Sequence, residues 1–305
     1  MPSDKKPIEI DDSFDPWRVQ PVKHALSQHP LLQLESVREL GKRLEARGRV
    51  RTHSDKATAD TSFNNAPELH PTDLKPTEAL ADIANAHAWT SLLNIQTDDL
   101  YRSLVDEVLD GVKPVFDRKD PGMCYRGGWI FVTSPRAVTP FHMDFEHNFI
   151  VQIFGKKRLY VWDPLDRSVV SERGQELFHT FHSRELVRFH EDFREKAYVF
   201  DLEPGMGGFM PSTAPHMVEN GDGPSITASF TFYTDSTRRR SLAYRANSHL
   251  RKLGLDPAPF GQVPLRDTAL AAAMKIYSKT KDFARRATGK PVFSETAPYA
   301  FHLTS

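Results

Sequence analysis

Two residues of metal-binding types lie two positions apart near the middle of the chain. His142 and Asp144 stand in the run Thr139–Asp144, T-P-F-H-M-D. Residues at i and i+2 of an extended chain point to the same face, so this imidazole and this carboxylate would point the same way. They would supply two ligands of a facial two-histidine, one-carboxylate site, which suits Fe(II) and leaves positions open for substrate and oxygen. The third ligand is expected from a distant strand, and His216 is the best candidate.

An H-x-D pair alone is weak evidence, because a core histidine beside a surface aspartate gives the same pattern. The surroundings of Asp144 favour a metal, since it stands between Met143 and Phe145 on a predicted strand that runs on through Phe149. A carboxylate buried there would be costly without a partner or a metal. Lys157 opens the next predicted strand. Its ammonium group could hold the carboxylate of an anionic cosubstrate.

A wider pattern extends from Thr139 to Pro164. T-P-F-H-M-D is followed by Asn148, by Q-I-F-G-K-K-R over Gln152–Arg158, and by a D-P ending. This pattern resembles the JmjC or cupin-8 family of Fe(II)- and 2-oxoglutarate-dependent oxygenases. Within that family it is most similar to the asparaginyl hydroxylases that act on hypoxia-inducible factor. The likeness covers this stretch and, more loosely, Gly205–Tyr233.

The resemblance implies a role for each matching residue. The implied iron ligands are His142, Asp144 and His216. The residues implied to contact or adjoin the cosubstrate 2-oxoglutarate are Lys157, Thr139, Asn148 and Thr231. The implied reaction hydroxylates an unactivated C–H bond, consumes O2 and 2-oxoglutarate, and releases succinate and CO2. Demethylation would follow the same chemistry if the hydroxylated carbon were bonded to nitrogen.

Composition indicates a globular protein. The 305 residues are 39% hydrophobic and 26% charged, and a chain of this length can bury a substantial core as one domain or two. The polar stretch Met1–Asp12 does not resemble a signal peptide, and no apolar run reaches the length of a membrane span, so we expect no membrane partner. The single cysteine, Cys124, excludes an intrachain disulfide framework and fits a cytoplasmic location.

The predicted elements divide the chain into three regions. Residues 1–120 are expected to form a mixed, partly helical region packed on a barrel, 121–235 the JmjC- or cupin-like barrel itself, and 236–305 a C-terminal helical region. In the first region, His53–Lys75 is predicted to be a long polar loop. A helix is predicted from about Thr97 to Val112, with Pro114 ending it.

The predicted fold class is mainly β with flanking helices, built around a double-stranded β-helix, or jelly roll. The strand predicted over Ile226–Thr234 carries much of this argument. Its polar residues alternate with apolar ones and share one face: Thr227, Ser229, Thr231 and Tyr233. We expect that polar face to look into the barrel, toward a polar ligand, and the apolar face to pack under surrounding helices.

The charge distribution sets the C-terminal region apart. Residues 236–305 contain 13 Lys and Arg against 4 Asp and Glu, although the whole chain has no net charge. This asymmetry can indicate nucleic acid or an acidic partner, but a solvated helix surface is commoner. Relatives with this barrel commonly dimerise through C-terminal helices, so we predict a homodimer through the helix Thr268–Thr288. Its candidate interface or core residues are Leu270, Met274, Tyr277 and Phe283.

Four further histidines lie near or after the proposed site. His147 is predicted either to line the mouth of the site or to lie on the surface. The others stand in a charged insertion over residues 165–196, and are His179, His182 and His190. A second metal site there is disfavoured, because the surrounding Glu, Asp and Arg look exposed. The final segment, Pro291–Ser305, is predicted to be an extended tail.

The resulting hypothesis is a 2-oxoglutarate-dependent dioxygenase that hydroxylates a protein, peptide or amino-acid substrate. One alternative is a metal-dependent cupin enzyme that does not use 2-oxoglutarate; Lys157 argues against it, because such an enzyme needs no fixed cation for a dicarboxylate. The other is a non-catalytic or regulatory cupin-like protein that uses its basic helices to bind nucleic acid. Three converging ligands argue against that, since a pure binding module has no use for them.

Overall fold

A computed structural model describes residues 6–289 of the chain. The strands, in chain order, are β1 Ile8–Glu9, β2 Gln20–His24, β3 Val50–Ser54, β4 Ala88–Leu92, β5 Cys124–Thr133, β6 Val138–His142, β7 His147–Phe154, β8 Lys157–Val161, β9 Tyr198–Leu202, β10 Met206–Met210, β11 His216–Asn220 and β12 Ser225–Tyr233. The α-helices are α1 Leu34–Glu45, α2 Ala66–Leu69, α3 Pro76–Ala81, α4 Asp99–Lys119, α5 Glu172–Phe181, α6 Asp235–Lys252 and α7 Pro264–Ala287. Among the described residues, no helix is both long and apolar enough to cross a membrane.

The described residues form two compact units. The first runs through Val170 and resumes over Val187–Tyr233, and it contains every strand. The second consists of Ser171–Leu186 and the described chain from Thr234 onward, with helices α5, α6 and α7. The predicted division into three regions, with boundaries at 120 and 235, stays a prediction.

The first unit is built on two antiparallel sheets. The larger has eight strands in the order β1-β2-β10-β7-β12-β5-β4-β3, and the smaller has four in the order β6-β11-β8-β9. Neighbouring strands in each sheet are antiparallel and mostly distant in sequence, as in a jelly roll. The predicted fold class, mainly β with flanking helices around a jelly-roll core, is confirmed.

The glycines of β10 let two strands approach closely. A side chain at Gly207 would place its Cβ 2.5 Å from the backbone oxygen of Ile150 on β7. No real Cβ tolerates that distance, so glycine is required where β10 pairs with β7. This pairing matters for the site, because β10 leads directly into the turn that precedes His216.

Helix α4 extends past the proline that was expected to end it. The prediction that Pro114 ends the helix is wrong, because α4 continues to Lys119. An internal proline costs about 3 kcal/mol. Beyond it, however, Val115 and Phe116 are buried, and burying such side chains contributes about 1.5 to 3 kcal/mol each. The Phe116 ring lies 4.7 Å from that of Phe232, edge to face.

The segment His53–Lys75, predicted as a long loop, contains regular structure in two places. Strand β3 continues to Ser54, and the short helix α2 covers Ala66–Leu69. A backbone hydrogen bond closes this segment, from the N–H of Ser54 at the end of β3 to the carbonyl of His70 just after α2, at 2.8 Å. The segment is therefore ordered and not a free loop.

The two faces of β12 behave as the alternation predicted. Its apolar residues join a core that includes the buried face of α4; they are Ile226, Ala228, Phe230 and Phe232. On the other face, the Thr227 hydroxyl donates to the Gln152 side-chain oxygen of β7 at 2.8 Å. The inner surface of the barrel is thus lined partly by hydroxyl and amide groups.

The second unit is helical, and its last helix buries a narrow face. On α7 the buried residues are Asp267, Ala271, Met274 and Ser278. Of the predicted core or interface residues, Met274 is buried, while Tyr277 and Phe283 are exposed. In α5, His179 is buried and stacks on Tyr244 with ring centroids 4.9 Å apart. The predicted tail Pro291–Ser305 lies outside the described residues.

Candidate metal centre and the adjoining pocket

An irregularity in strand pairing sets the orientation of two predicted site residues. His142 pairs with His216, while Thr139 pairs with Val218, so three steps along β6 match two along β11. A bulge of this kind re-aims side chains, and bulges are frequent beside active sites. Thr139 receives a hydrogen bond from Trp89 of the opposite sheet, and His142 comes to lie beside His216.

Asp144 lies outside the strand on which it was predicted. Strand β6 ends at His142 and β7 begins only at His147, so the argument that His142 and Asp144 share one face of a continuous strand is wrong. Instead the connecting loop turns, and its backbone is tied to the segment before β11. The N–H of Thr213 donates to the carbonyl of Asp144 at 2.8 Å, and the Ser212 hydroxyl donates to that of Phe145 at 2.6 Å.

The three side chains converge nevertheless. A carboxylate oxygen of Asp144 lies 3.6 Å from Nε2 of His142 and 3.8 Å from Nε2 of His216. An ion with ligand distances of about 2.1 Å can bridge atoms up to about 4.2 Å apart. Among the described residues, this is the one group of three metal-ligating side chains within such reach. Both histidines are buried, whereas the Asp144 side chain is 35% exposed, so the centre is reached from the aspartate side.

Each histidine is oriented by a backbone carbonyl. Nδ1 of His142 lies 2.7 Å from the oxygen of Pro140, and Nδ1 of His216 lies 3.0 Å from that of Ala214. A carbonyl can only accept, so the hydrogen of each ring sits on Nδ1. This leaves both Nε2 lone pairs directed toward the carboxylate, the tautomer that a metal ligand requires.

Lys157 is buried without a counter-charge among the described residues. It opens β8 opposite Asn220 of β11 and is only 5% exposed. Within residues 6–289, no neighbouring charge or hydrogen bond contributes to the pKa of its ammonium group, which burial alone shifts. Burial lowers its pKa from 10.5 to about 7. A buried, unpaired ammonium is costly, so this position is suited to an anion.

Other polar groups on the inner face also lack hydrogen-bond partners within the described chain. These atoms are the side-chain oxygens of Asn148, Ser91, Thr133 and Ser229. Thr139 differs, because its oxygen accepts from Nε1–H of Trp89 at 2.8 Å, which leaves its own hydrogen available to donate. Thr231 pairs with Asn148 across β12 and β7. The pocket thus combines a cation with hydroxyl and amide groups, which is the donor set that a dicarboxylate needs.

Comparison with known proteins places the chain in a family. Residues 22–238 match the family described as a cupin-like domain. The chain belongs to the cupin-like domain family. Comparison with curated proteins by sequence gives no match.

Solved structures with similar coordinates include the ribosomal oxygenase YcfD from Escherichia coli. One YcfD structure matches with a TM-score of 0.41 and 14% identity over 85% of this chain and 62% of that one. Its complex with cobalt and 2-oxoglutarate matches with a TM-score of 0.43 and 15% identity over 86% and 63%. The DMSP lyase DddQ from Ruegeria pomeroyi matches with a TM-score of 0.24 and 14% identity over 35% and 38%. The chain spans less than two thirds of the length of these structures.

The histidine that follows the loop of Asp144 is buried in this cupin-like domain. His147 is fully buried, so both predicted locations, at the mouth of the site and on the surface, are wrong. Its Nδ1 accepts from Ser212 N–H at 3.1 Å, and its Nε2 lies 3.2 Å from the carboxylate of Asp120. The histidine therefore links the end of α4 to Ser212, whose hydroxyl donates to the carbonyl of Phe145 in the loop that carries Asp144. Nothing in the local pattern around His147 distinguishes it from an exposed residue.

A second unanticipated contact covers one face of the His142 ring. The ring of Phe63 lies face to face with that of His142, with centroids 3.7 Å apart and planes within 5°. Phe63 belongs to the predicted loop His53–Lys75, where an isolated aromatic residue among polar ones was the only available signal.

Proposed function

We propose that this cupin-like domain is an Fe(II)- and 2-oxoglutarate-dependent oxygenase that hydroxylates an unactivated C–H bond of a protein, peptide or amino-acid substrate. The observation that carries the proposal is the combination of two features in one barrel. His142, Asp144 and His216 converge, and Lys157 is buried without a counter-charge among the described residues. Either feature alone fits several kinds of cupin, but together they suit a metal with an anionic cosubstrate.

The donor set fits ferrous iron. Two neutral imidazoles and one carboxylate, with positions left open, form the arrangement that non-haem Fe(II) oxygenases use. Bound iron would supply oxygen activation coupled to decarboxylation of 2-oxoglutarate. The backbone carbonyls of Pro140 and Ala214 orient the two imidazole rings so that each Nε2 would face the metal. The partly exposed Asp144 keeps one side of the centre accessible to the substrate.

The pocket fits the distal carboxylate of 2-oxoglutarate. The ammonium of Lys157 would pair with that carboxylate, and a neighbouring anion would raise the lowered pKa of the lysine again. The Thr139 hydroxyl, whose oxygen already accepts from Trp89, would donate to the same group. We assign Asn148 and Thr231, which pair across β7 and β12, to the wall beside the cosubstrate.

The finer parts of the proposal rest on the sequence. The proposal includes a likeness to the asparaginyl hydroxylases. It also includes a cytoplasmic location, which the single cysteine supports. The homodimer through C-terminal helices is also part of the proposal. It is supported by large apolar side chains left exposed on α7. Nucleic-acid binding by the basic C-terminal region is the less favoured alternative.

The deciding experiment measures succinate. Metal-free protein is reconstituted anaerobically with Fe(II), supplied with 2-oxoglutarate and oxygen, and assayed with and without candidate peptides and amino acids. Succinate that requires both iron and 2-oxoglutarate, with a substrate gaining one oxygen atom, is the expected result. Substrate oxidation that needs iron but not 2-oxoglutarate would favour another cupin enzyme. Failure to bind any divalent metal would favour the non-catalytic alternative.

A further inference from the structure

The face of His142 is covered by a residue from outside both sheets. Phe63 lies in the segment between β3 and α2, and its ring is parallel to the imidazole at a centroid distance of 3.7 Å. The torsion that sets the plane of a histidine ring has a broad energy profile, so the plane is determined by what packs against it. The hydrogen bond from Nδ1 to Pro140 fixes where one edge of the ring points. Phe63 supplies the complementary restraint on the ring plane.

Arg51 holds Phe63 in that position. Its guanidinium carbon lies 4.6 Å from the centre of the Phe63 ring, within the range of a cation–π interaction. The same group donates to the backbone carbonyl of Phe63, and to that of Asn64 at 3.4 Å. Arg51 belongs to β3, so these contacts tie the covering segment to the edge of the larger sheet.

The covering segment is also anchored to the smaller sheet. The N–H of Phe141, the residue before His142, donates to the carbonyl of Ala59 at 3.0 Å. Within the segment, Thr61 contacts His70 at 3.2 Å through their side chains. Phe63 therefore belongs to an ordered segment that connects β3, an edge strand of the larger sheet, with β6, an edge strand of the smaller sheet.

We infer that Phe63, held by Arg51, is a positioning residue for the histidine side of the metal centre. The inference rests on the proposed function, because it assigns to Phe63 a role toward the proposed metal. By fixing the plane of His142, Phe63 directs its Nε2 at the ion and keeps water from that flank. The substrate then approaches from the flank of Asp144, which is more exposed. Partners outside the ligand shell typically change metal affinity by about 10- to 100-fold when altered.

The test measures metal affinity, independently of turnover. Metal-free full-length variants are titrated with Co(II), and the visible absorption bands of bound Co(II) report its coordination. Phe63→Leu keeps an apolar side chain of similar bulk but removes the flat ring, and is expected to weaken Co(II) binding by about tenfold and change the spectrum. Phe63→Tyr keeps the ring and is expected to restore the wild-type affinity and spectrum. Phe189→Leu is the matched control, a partly buried phenylalanine that packs near Phe141 and not on a ligand.

Arg51 supplies an independent check. Arg51→Lys keeps the charge but loses the planar guanidinium group that contacts Phe63. We therefore expect it to weaken Co(II) binding, as Phe63→Leu does. Because both residues act through one stack, the double variant Arg51→Lys, Phe63→Leu should bind Co(II) no more weakly than Phe63→Leu alone. If the losses in Co(II) affinity of the two single variants add up in the double variant, Arg51 does not act through Phe63.

Two results separate failure of this inference from failure of the proposed function. If wild-type protein binds Co(II) and Phe63→Leu binds it equally well, the positioning role is overturned and the metal site stands. A fall in the thermal midpoint of metal-free Phe63→Leu without any change in affinity also overturns the positioning role, since the ring then serves only folding. If wild-type protein binds no metal, the proposed function itself fails.

Discussion

The imidazole of His147 lies 3.2 Å from the carboxylate of Asp120, and both side chains are excluded from solvent. Because Ser212 N–H donates to Nδ1, the remaining ring hydrogen sits on Nε2 and points at the carboxylate. The pair therefore joins the C-terminal end of α4 to Ser212, whose hydroxyl in turn holds the carbonyl of Phe145. Through these contacts, the His147–Asp120 pair helps to hold the loop that carries Asp144.

Removing the carboxylate of this pair should destabilise the fold. Asp120→Ala removes the carboxylate that accepts from Nε2–H of the neutral, buried His147, and losing a hydrogen bond to a charged group costs about 1.5 to 3 kcal/mol. We expect the urea midpoint to fall accordingly, with metal affinity reduced in protein that remains folded. Asp117→Ala, at a half-exposed position of the same helix, is the control and should change stability little. Equal stability of the two variants would show that the buried pair contributes nothing.

Asp144 should be required for metal binding. Asp144→Ala removes a ligand and the only negative charge of the triad, so reconstituted protein should lose Fe(II) on desalting and lose activity with it. Metal content is measured by elemental analysis. Glu146→Gln, in the same loop, is the control and should retain iron. A full complement of iron in Asp144→Ala would contradict the proposed ligand set.

Lys157 should act on the cosubstrate and not on the metal. In Lys157→Met the distal carboxylate of 2-oxoglutarate would be buried without its cation, a change of about 3 kcal/mol or more, which is about 100-fold or more in affinity. Calorimetric titration of Co(II)-loaded protein with 2-oxoglutarate measures this, and Co(II) affinity should be nearly unchanged. Lys156→Met is the neighbouring control, since Lys156 pairs with Glu203 at the surface. Equal losses of cosubstrate and metal would mean that the pocket is misassigned.

The lowered pKa of Lys157 predicts proton uptake on binding. The folded protein has a lysine pKa of about 7, against 10.5 for the free side chain. Between these values the unfolded chain holds a proton that the folded one has released, so this group makes stability rise from about pH 7 to 10.5. Binding a carboxylate raises the folded pKa, so 2-oxoglutarate should be bound together with a proton at pH 8 and more weakly as pH increases.

Calorimetry in two buffers of different ionisation enthalpy detects that proton. The apparent binding enthalpy of 2-oxoglutarate at pH 8 should depend on the buffer for wild-type protein. It should not do so for Lys157→Met. Buffer-independent enthalpies for both proteins would show that Lys157 is already charged before the cosubstrate binds.

The predicted homodimer can be tested on α7. Met274 packs within the second unit, but Leu265, Ile276 and Phe283 are 87%, 68% and 76% exposed. If a second copy covers them, Ile276→Ser with Phe283→Ser should convert a dimer into a folded monomer, because apolar burial at the interface would be lost. Sedimentation measures the mass, and Lys281→Ser is the exposed polar control. A wild-type monomer, or a dimer that survives both changes, would refute this interface.

The sequence by itself indicated the chemistry. Residue types and a motif single out His142, Asp144 and His216, and the same three side chains converge in the structure. Lys157 was placed at the start of a strand and is found there, buried. These placements could be read from the sequence because motif spacing is a local property, although the strand alternation assumed for His142 and Asp144 is wrong. The polar and apolar faces of β12 were readable because alternation along a strand is also local.

Only the tertiary structure decided how that chemistry is held. Asp144 reaches the histidines through a loop, because hydrogen bonds from Thr213 and Ser212 turn the chain after β6. Pro114 stays inside α4, because burial beyond it outweighs a local preference. The contacts of His147 with Asp120 and of Phe63 with His142 join segments remote in sequence. No periodic pattern encodes such pairs, since they depend on how sheets and loops close around one another.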